Sequence, residues 1–171
     1  SARITNILED DHQRIIVSMG NPLPGVHIFD EDAELFYPIP FVSRTNMRAP
    51  GRIRDMLIDS TGIIWVGTSE GLYKISNSDN LIAKTYSIDG TAFEETWDLM
   101  LDHTDNLWVS TQKGLYKIVG RNSVHAKVQT YQFLSKVNTA SFEYPRYSLE
   151  SSSGSVWIGT NRSLCIADLN N

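Results

Sequence analysis

Short runs of apolar and β-branched residues, each bounded by turn-forming residues, recur along this chain. The run Ile-Trp-Val at 64–66 reappears as Leu-Trp-Val at 107–109 and as Val-Trp-Ile at 156–158. Runs this short, with an aromatic residue between turns, are typical of buried β-strands and not of helices. The pattern therefore predicts an all-β protein built from one repeated unit.

Each apolar run lies at the same place in a unit of 43 to 49 residues, and the units are anchored at Asp10, Asp59, Asp102 and Ser151. A strand precedes each anchor, and we name it the inner strand of its unit. The four inner strands are predicted at Ile4–Glu9, Ile53–Ile58, Thr96–Leu101 and 146–150. Two strands follow in every unit, and a fourth follows in the first three, at 34–38, 83–88 and 127–133.

Four-stranded units of ~40–50 residues are the blades of a β-propeller. We therefore predict about four four-stranded antiparallel blades in residues 1–171, the last one incomplete, with about fifteen strands in all. The approximate blades are 3–38, 52–88, 95–133 and 145–171. A row of four blades exposes apolar surface at both ends. The chain is then a fragment of a larger propeller, or two copies complete one ring, or four blades close alone. We favour the fragment, with homo-oligomers through the exposed blade faces as a consequence.

The most regular positions of the unit are predicted to be architectural. They are Asp59, Gly62, Trp65, Asp102, Trp108, Gly154 and Trp157. The Asp residues accept hydrogen bonds from the backbone of the turn that they begin. The Gly residues supply the positive φ at the end of that turn. One Trp in each of the last three units packs between neighbouring blades, and Ile16 takes its place in the first. Because Gln13 takes the place of Gly in the first unit, we expect its hairpin to be the least regular.

Composition and charge exclude several classes of function. The net charge of −5 argues against a nucleic-acid surface, which needs a basic patch. Cys165 is the only cysteine, so neither an internal disulfide nor a cysteine-based zinc site is expected. No apolar run approaches the ~18–20 residues of a membrane span, so we expect no membrane contact by this segment. We also expect no metal, no cofactor and no catalytic residue.

The repeated motif Asp-x-x-Gly-x-x-Trp-x-Gly-Thr-x-x-Gly-Leu-Tyr resembles the two-component regulator propeller repeat. The resemblance is carried by residues 59–75, 102–118 and 151–166, and weakly by 8–29. It implies the periplasmic sensor region of a hybrid two-component histidine kinase, the extracytoplasmic part of an inner-membrane protein. Many such regions respond to oligosaccharides. The partners implied are the remaining blades of the parent protein and an oligosaccharide ligand, and this chain is expected to have no kinase activity.

Variable residues near the starts of the inner strands are the candidates for ligand binding, since binding residues concentrate on loops. They are Arg44, Arg48, Arg52, Arg54, Glu95, Trp97, Tyr144 and Arg146, with Phe93, Phe142 and Tyr147 as further aromatic candidates. The arginines are dense enough to bind a carboxylate or sulfate on an acidic glycan. Alternatively, they form a solvated loop paired with Asp55 or Glu95, and Trp97 fills the propeller channel.

Two other functions remain open at this stage. A propeller lyase or glycoside-active enzyme would need convergent His or acidic residues on the loop face, where the sequence places mostly arginines and aromatics. A protein-interaction scaffold could use the same face. A glycan screen separates the sensor from the scaffold, and a turnover assay separates either from the enzyme.

Overall fold

The computed structural model of the chain describes residues 3–42, 51–76, 81–88, 90–123, 125–131 and 144–167. Within these ranges every regular element is a β-strand. The predicted all-β fold of antiparallel propeller blades is confirmed, because four meander sheets follow one another along the chain, and in each meander the successive strands pair antiparallel.

Each sheet is a meander that begins with its inner strand. The first contains β1 (Ile4–Glu9), β2 (Ile15–Met19), β3 (Gly25–Asp30) and β4 (Leu35–Pro38). A short strand, β5 (Phe41–Val42), precedes the second sheet, which contains β6 (Ile53–Ile58), β7 (Ile64–Thr68), β8 (Gly71–Ile75) and β9 (Ala83–Thr85). A separate hairpin follows, formed by β10 (Ser87–Ile88) and β11 (Thr91–Ala92). The third sheet contains β12 (Thr96–Leu101), β13 (Leu107–Thr111), β14 (Gly114–Val119) and β15 (Lys127–Tyr131). The fourth contains β16 (Pro145–Glu150), β17 (Val156–Thr160) and β18 (Leu164–Ile166).

The outer edge of the second sheet differs from the prediction of one continuous strand at 83–88. The strand ends at Thr85, and the next residues pair in the separate β10–β11 hairpin. Tyr86 explains the break. Its backbone N–H still donates to the Leu72 carbonyl at 2.8 Å, while its ring packs edge-on against Trp65 at 4.7 Å. On the other side of β9, β5 pairs in parallel, so the end of the first blade is joined to the second.

The four turns after the inner strands are alike, so the prediction that the first is the least regular is wrong. Gln13 has a φ of 61° and donates its N–H to the Asp10 carbonyl at 2.9 Å, as Gly62, with a φ of 78°, does to Asp59 at 2.9 Å. The Asp10 carboxylate holds the turn through Arg14, whose backbone N–H and guanidinium donate to it at 2.9 and 2.6 Å. These bonds offset the ~1–2 kcal/mol that a left-handed conformation costs a residue with a side chain.

Two of the repeated Trp residues join the turn of a blade to its core. Trp65 Nε1 donates to Asp59 Oδ2 at 2.8 Å, and Trp108 Nε1 donates to Asp102 Oδ2 at 3.0 Å. Both rings are fully buried. The architectural roles predicted for these four residues follow from these contacts, because each carboxylate closes its turn and also satisfies the buried indole N–H.

Apolar side chains fill the space between each pair of successive sheets. Between the first and second sheets lie, among others, Ile16, Val26, Ile64, Val66, Tyr73 and Ile75. Between the second and third lie Trp65, Leu72, Phe93, Leu99, Leu107, Val109 and Ile118. Between the third and fourth lie Trp108, Leu115, Val156, Ile158 and Ala167. Face-to-face packing of meander sheets around successive cores is the architecture of propeller blades.

Carboxylates on the inner strands bind one blade to the next. Asp55 accepts the backbone N–H of Leu99 at 2.9 Å. At the equivalent position one blade further, Asp98 accepts the backbone N–H and the hydroxyl of Ser148 at 2.8 and 2.5 Å. Burial is the main cause that raises the pKa of Asp98, to about 7. The inner strands are therefore held side by side by polar contacts as well as by the apolar cores.

The outward faces of the first and fourth sheets are open. Tyr147, Leu149 and Leu164 on the fourth sheet are 73%, 66% and 68% exposed, and Ile7 on the first is 65% exposed. No buried apolar core joins these two sheets among the described residues. In this part of the chain, therefore, four blades do not close a small ring by themselves.

Candidate ligand-binding site

Every inner strand has a β-bulge near its start, which leaves one residue without a partner on the neighbouring strand. The register shifts between Ile53 and Asp55, and it shifts at the equivalent place in the other three sheets. The residues skipped by the pairing are Thr5, Arg54, Trp97 and Arg146. A bulge bends its strand and redirects a side chain. All four of these side chains line the same cavity.

Three of the bulge residues stack on one another across three blades. The guanidinium carbon of Arg54 lies 3.7 Å from the Trp97 ring centroid, and that of Arg146 lies 3.5 Å from it. Two groups this close to one centroid fit only on opposite faces of the ring. Cation–π attraction between guanidinium and indole stabilises such a stack. We call Arg54, Trp97, Arg146 and Tyr144 the ladder, since Tyr144 continues it beyond Arg146.

Two residues that directly precede inner strands, Tyr144 in the ladder and Glu95 beside it, hold the guanidinium groups in place. Tyr144 stacks at 6.4 Å and 18° to Trp97, and the Arg146 guanidinium lies 5.0 Å from the Tyr144 ring. Glu95, which has a φ of 28°, forms an ion pair with Arg54 at 2.7 Å. A non-glycine residue at positive φ is strained, and here the strained residue is the one that orients a guanidinium group of the ladder.

The ladder borders a cavity of about 880 Å³ at this end of the inner strands. The turn between β2 and β3 forms another wall, and Arg52, Tyr147 and Arg3 contribute further side chains. The described residues that line the cavity include four arginines and no Asp, Glu or His. This distribution of charge is unexpected in a chain whose net charge is −5.

The neighbouring arginine side chains affect the pKa of Arg54. Burial is the largest cause that lowers the pKa of Arg54; Glu95 raises it, and the charges of Arg52 and Arg146 lower it further. Arg54 Nε and Trp97 Nε1 are buried N–H donors without an acceptor among the described residues. The site therefore holds positive charge and hydrogen-bond donors that the surrounding protein balances only in part.

Most of the predicted site residues come together here. Arg52, Arg54, Trp97 and Arg146 line the cavity, Tyr144 completes the ladder, and Glu95 forms an ion pair with Arg54. Arg44, Arg48 and Phe142 lie outside the described residues. The alternative in which the arginines pair with carboxylates holds for Arg54 and Glu95. Asp55, the other carboxylate predicted to pair with an arginine, instead accepts the backbone N–H groups of Met56 and Leu99.

Two expectations about aromatic residues need correction. Phe93 is not available to a ligand, because it is only 2% exposed and belongs to the core between the second and third sheets. Trp97 does not offer a free flat face to a sugar, because guanidinium groups cover both faces. Tyr147 is the candidate aromatic residue whose ring is open, with 73% of its surface exposed.

The sequence reasoning missed Arg3 and Thr5, which also line the cavity. The repeat itself could have identified them. Arg3 directly precedes its inner strand, as Arg52 does in the next unit, and Thr5 occupies the bulge position that Arg54 occupies there. In a repeat protein, a residue chosen in one unit indicates its equivalents in the others.

The described part of the chain offers neither a cluster of metal ligands nor a membrane-spanning helix. It contains no group of three or more His, Cys, Asp or Glu residues placed to hold a metal ion. None of its elements is a helix long and apolar enough to cross a membrane.

Comparison with known proteins supports the resemblance found in the sequence. Residues 48–70 match the family described as Two component regulator propeller, which confirms the predicted resemblance to this repeat. Comparison with curated proteins finds no match.

Three solved structures illustrate the similarity in fold. The extracellular domain of the hybrid two component system BT4673 from B. thetaiotaomicron has a TM-score of 0.72 and 20% identity, covering 98% of this chain and 22% of that one. That of BT3049 from the same organism has a TM-score of 0.66 and 18% identity, with coverage of 98% and 22%. A catalytically inactive virginiamycin B lyase from Staphylococcus aureus has a TM-score of 0.66 and 14% identity, with coverage of 98% and 53%. These identities establish the fold alone, and the chain spans about a fifth of the length of the two sensor domains.

Proposed function

We propose that this chain is a ligand-binding part of the periplasmic sensor propeller of a hybrid two-component system, and that its ligand is an oligosaccharide. The observation that carries the proposal is the cavity at the starts of the inner strands, to which all four blades contribute side chains. The family match at residues 48–70 and the likeness to two extracellular sensor domains support the assignment to this class of protein.

The composition of the cavity suits a saccharide. Sugars offer C–H faces to aromatic rings and hydroxyl groups to planar donors. Tyr147 provides an open ring. The exposed guanidinium group of Arg52 and the guanidinium group of Arg146, which is held by stacking on Trp97, provide N–H donors. Because the ladder joins three blades, a ligand bound there contacts side chains from each of them. Ligand binding can then favour one arrangement of the blades over another, provided that its affinity differs between them.

An enzymatic role is the second candidate, and it rests on the likeness in fold to the virginiamycin B lyase. Lyases and glycosidases need a general acid or base within reach of the substrate. No His, Asp or Glu is among the described residues that line the cavity. We therefore favour a non-catalytic binding module.

A glycan panel followed by calorimetry tests the proposed function. We expect Tyr147→Ala to weaken binding of the saccharide found about tenfold, the loss of ~1.4 kcal/mol of stacking. Tyr37→Ala is the matched control, because Tyr37 is 48% exposed on β4 and does not line the cavity. Equal effects of the two substitutions, or the absence of any saccharide ligand, would refute a sugar site here. Release of products from the bound saccharide would favour the enzyme instead.

We also propose that further blades cover the open faces of the first and fourth sheets in the intact protein. Leu149, Trp157 and Leu164 occupy repeat positions whose equivalents in the second sheet face the third sheet, whereas Tyr147 lies at the cavity end of its strand and lines the cavity. Light scattering tests this proposal. We expect the isolated chain to associate at high concentration, and Leu164→Asp to return the mass to that of one chain. A wild-type chain that stays single at its highest soluble concentration would contradict the proposal.

A further inference from the structure

The positive charge of the cavity favours an anionic ligand over a neutral one. Arg3, Arg52, Arg54 and Arg146 line it, and Glu95 is the carboxylate paired with one of them, Arg54. Among the described residues, Arg3 and Arg52 have exposed side chains that form no ion pair. A neutral sugar does not need this concentration of positive charge, whereas an anion would neutralise it.

The ladder gives the guanidinium groups a defined orientation. Trp97 lies between Arg54 and Arg146, and Tyr144 covers the other side of Arg146. Stacking holds the face of the Arg146 guanidinium group, one N–H of which donates weakly to the Tyr144 hydroxyl at 3.4 Å, and leaves its other N–H groups to donate to a ligand. These N–H groups match the paired oxygens of a carboxylate or sulfate, which arginine binds with two parallel hydrogen bonds. Because stacking already restricts the side chain, less conformational entropy is lost when the anion binds.

The mutual repulsion of the arginines also favours an anionic ligand. The charges of Arg52 and Arg146 lower the pKa of Arg54 after burial has done so, although Glu95 opposes them. Like charges held close together destabilise the unoccupied site, and an oxyanion bound between them would relieve that repulsion. Elsewhere in the described structure, the buried Arg121 has two carboxylate partners, Asp59 and Asp105, at 2.9 and 2.8 Å.

We propose that the cavity binds an oxyanion carried on a saccharide, either the carboxylate of a uronic acid or a sulfate ester. Arg52 and Arg146 contact the anion directly, and Trp97 acts as the positioning residue that orients Arg146. This inference rests on the proposed saccharide-binding function and specifies its ligand class.

Calorimetry with matched charged and neutral probes tests the inference. The probes are a trisaccharide of galacturonic acid, its neutral methyl ester, a sulfated trisaccharide, its desulfated form, and inorganic sulfate. We expect at least one acidic trisaccharide to bind, its neutral counterpart to bind at least ~10-fold more weakly, and its affinity to fall between ~50 and ~500 mM NaCl. Which acidic trisaccharide binds more tightly distinguishes a carboxylate from a sulfate.

Two substitutions locate the anion within the cavity. Arg52→Gln and Arg146→Gln each remove one charge, and we expect each to weaken the acidic probe ~10–100-fold and to weaken its neutral form, which loses only a hydrogen bond to a hydroxyl group, by a smaller factor. Lys127→Gln is the matched control, because it removes a charge from exposed Lys127 on the outer strand β15, and we expect no change. Circular dichroism checks that each variant is folded.

The outcomes separate this inference from the proposed function. If neutral saccharides bind as tightly as acidic ones, the ligand class is wrong and the saccharide site stands. If only inorganic sulfate binds, or if no probe binds, the inference is overturned, and the glycan panel alone decides whether the cavity binds another saccharide. If acidic probes bind equally to the Arg52, Arg146 and Lys127 variants, the anion binds elsewhere and the inference is also overturned.

Discussion

Trp65 and Trp157 occupy the same position of the repeat, yet their surroundings differ. Trp65 is fully buried, donates to Asp59 at 2.8 Å, and contacts Tyr86 edge-on at 4.7 Å. Trp157 is 36% exposed, and Ser151 stands where the other units have an aspartate. The strands themselves are equivalent, since each Trp lies opposite a leucine of its inner strand.

The difference lies in what the next sheet provides. Arg121, in the turn after β14, binds Asp59 Oδ2 in the second sheet at 2.9 Å and Asp105 Oδ2 in its own sheet at 2.8 Å. The side chains of Arg121 and Asp59 are 4% and 0% exposed. A buried carboxylate is stable only when it is paired in this way. A blade thus forms from its own sequence, but its Trp is buried by its neighbour.

The largest expected effect comes from removing the two Trp side chains in turn. Trp65→Ala should lower the free energy of unfolding by ~3–5 kcal/mol, because it leaves a cavity in a packed core. Trp157→Ala should lower it by less than ~1 kcal/mol, because that ring is partly in solvent. Urea unfolding measures both, at a dilution where the mass is that of one chain. Equal losses would mean that the face of the fourth sheet is covered in solution.

Acid should weaken the contact between the second and third sheets, because it protonates Asp59, which pairs with Arg121 there. Burial raises the pKa of Asp59, but hydrogen bonds from Thr61, Trp65 and Arg121 outweigh it and lower the pKa from 3.8 to about 2. A lowered pKa gives stability that is present above pH ~4 and is lost as the pH falls towards 2, about 2 kcal/mol for this shift. Asp98 stays protonated in this window, because burial raises its pKa to about 7.

Urea unfolding at pH 4 and pH 2 measures this loss. Asp59→Asn lacks the titrating group, so we expect the variant to lose about 2 kcal/mol less than the wild-type chain between these pH values. A loss of the same size in both chains would show that Asp59 does not carry the effect. Asp102, whose pKa is also lowered, remains in both and contributes equally to each.

The smallest effect is expected when the missing carboxylate is restored to the fourth sheet. The turn is already in place, since the Ser151 N–H donates to the Ser155 carbonyl at 2.8 Å. Ser151→Asp should therefore raise the free energy of unfolding by ~0.5–1 kcal/mol, through hydrogen bonds to the turn and to the Trp157 indole. Ser153→Asp is the control, because it adds the same charge two residues on. A gain above ~2 kcal/mol would contradict the open environment of Trp157.

The fold was largely predictable, because its signals are local. Three of the four inner strands have the predicted limits, and the turn residues mark where each ends. The break of the strand predicted at 83–88 was not predictable, because it depends on Tyr86 packing against Trp65 in a different strand. The regular turn at Gln13 was also missed, since its stability comes from the Asp10 carboxylate and not from the residue at positive φ.

The candidate site was predictable only as a set of residues near the inner strands. The sequence proposed Arg54, Trp97 and Arg146 as neighbours of a ligand, but not that two guanidinium groups stack on one indole. These residues are 43 and 49 positions apart, so their contact requires the order of the blades and the bulge in each inner strand.

By itself, the sequence determined the repeat, the strands and the turns, because backbone pairing within a meander and the alternation of side chains involve residues close in the chain. Only the tertiary structure decided which Trp is buried, which arginine has a carboxylate partner, and that both faces of Trp97 are covered. Burial and charge pairing depend on the neighbouring blade, and the repeat does not specify what that blade presents.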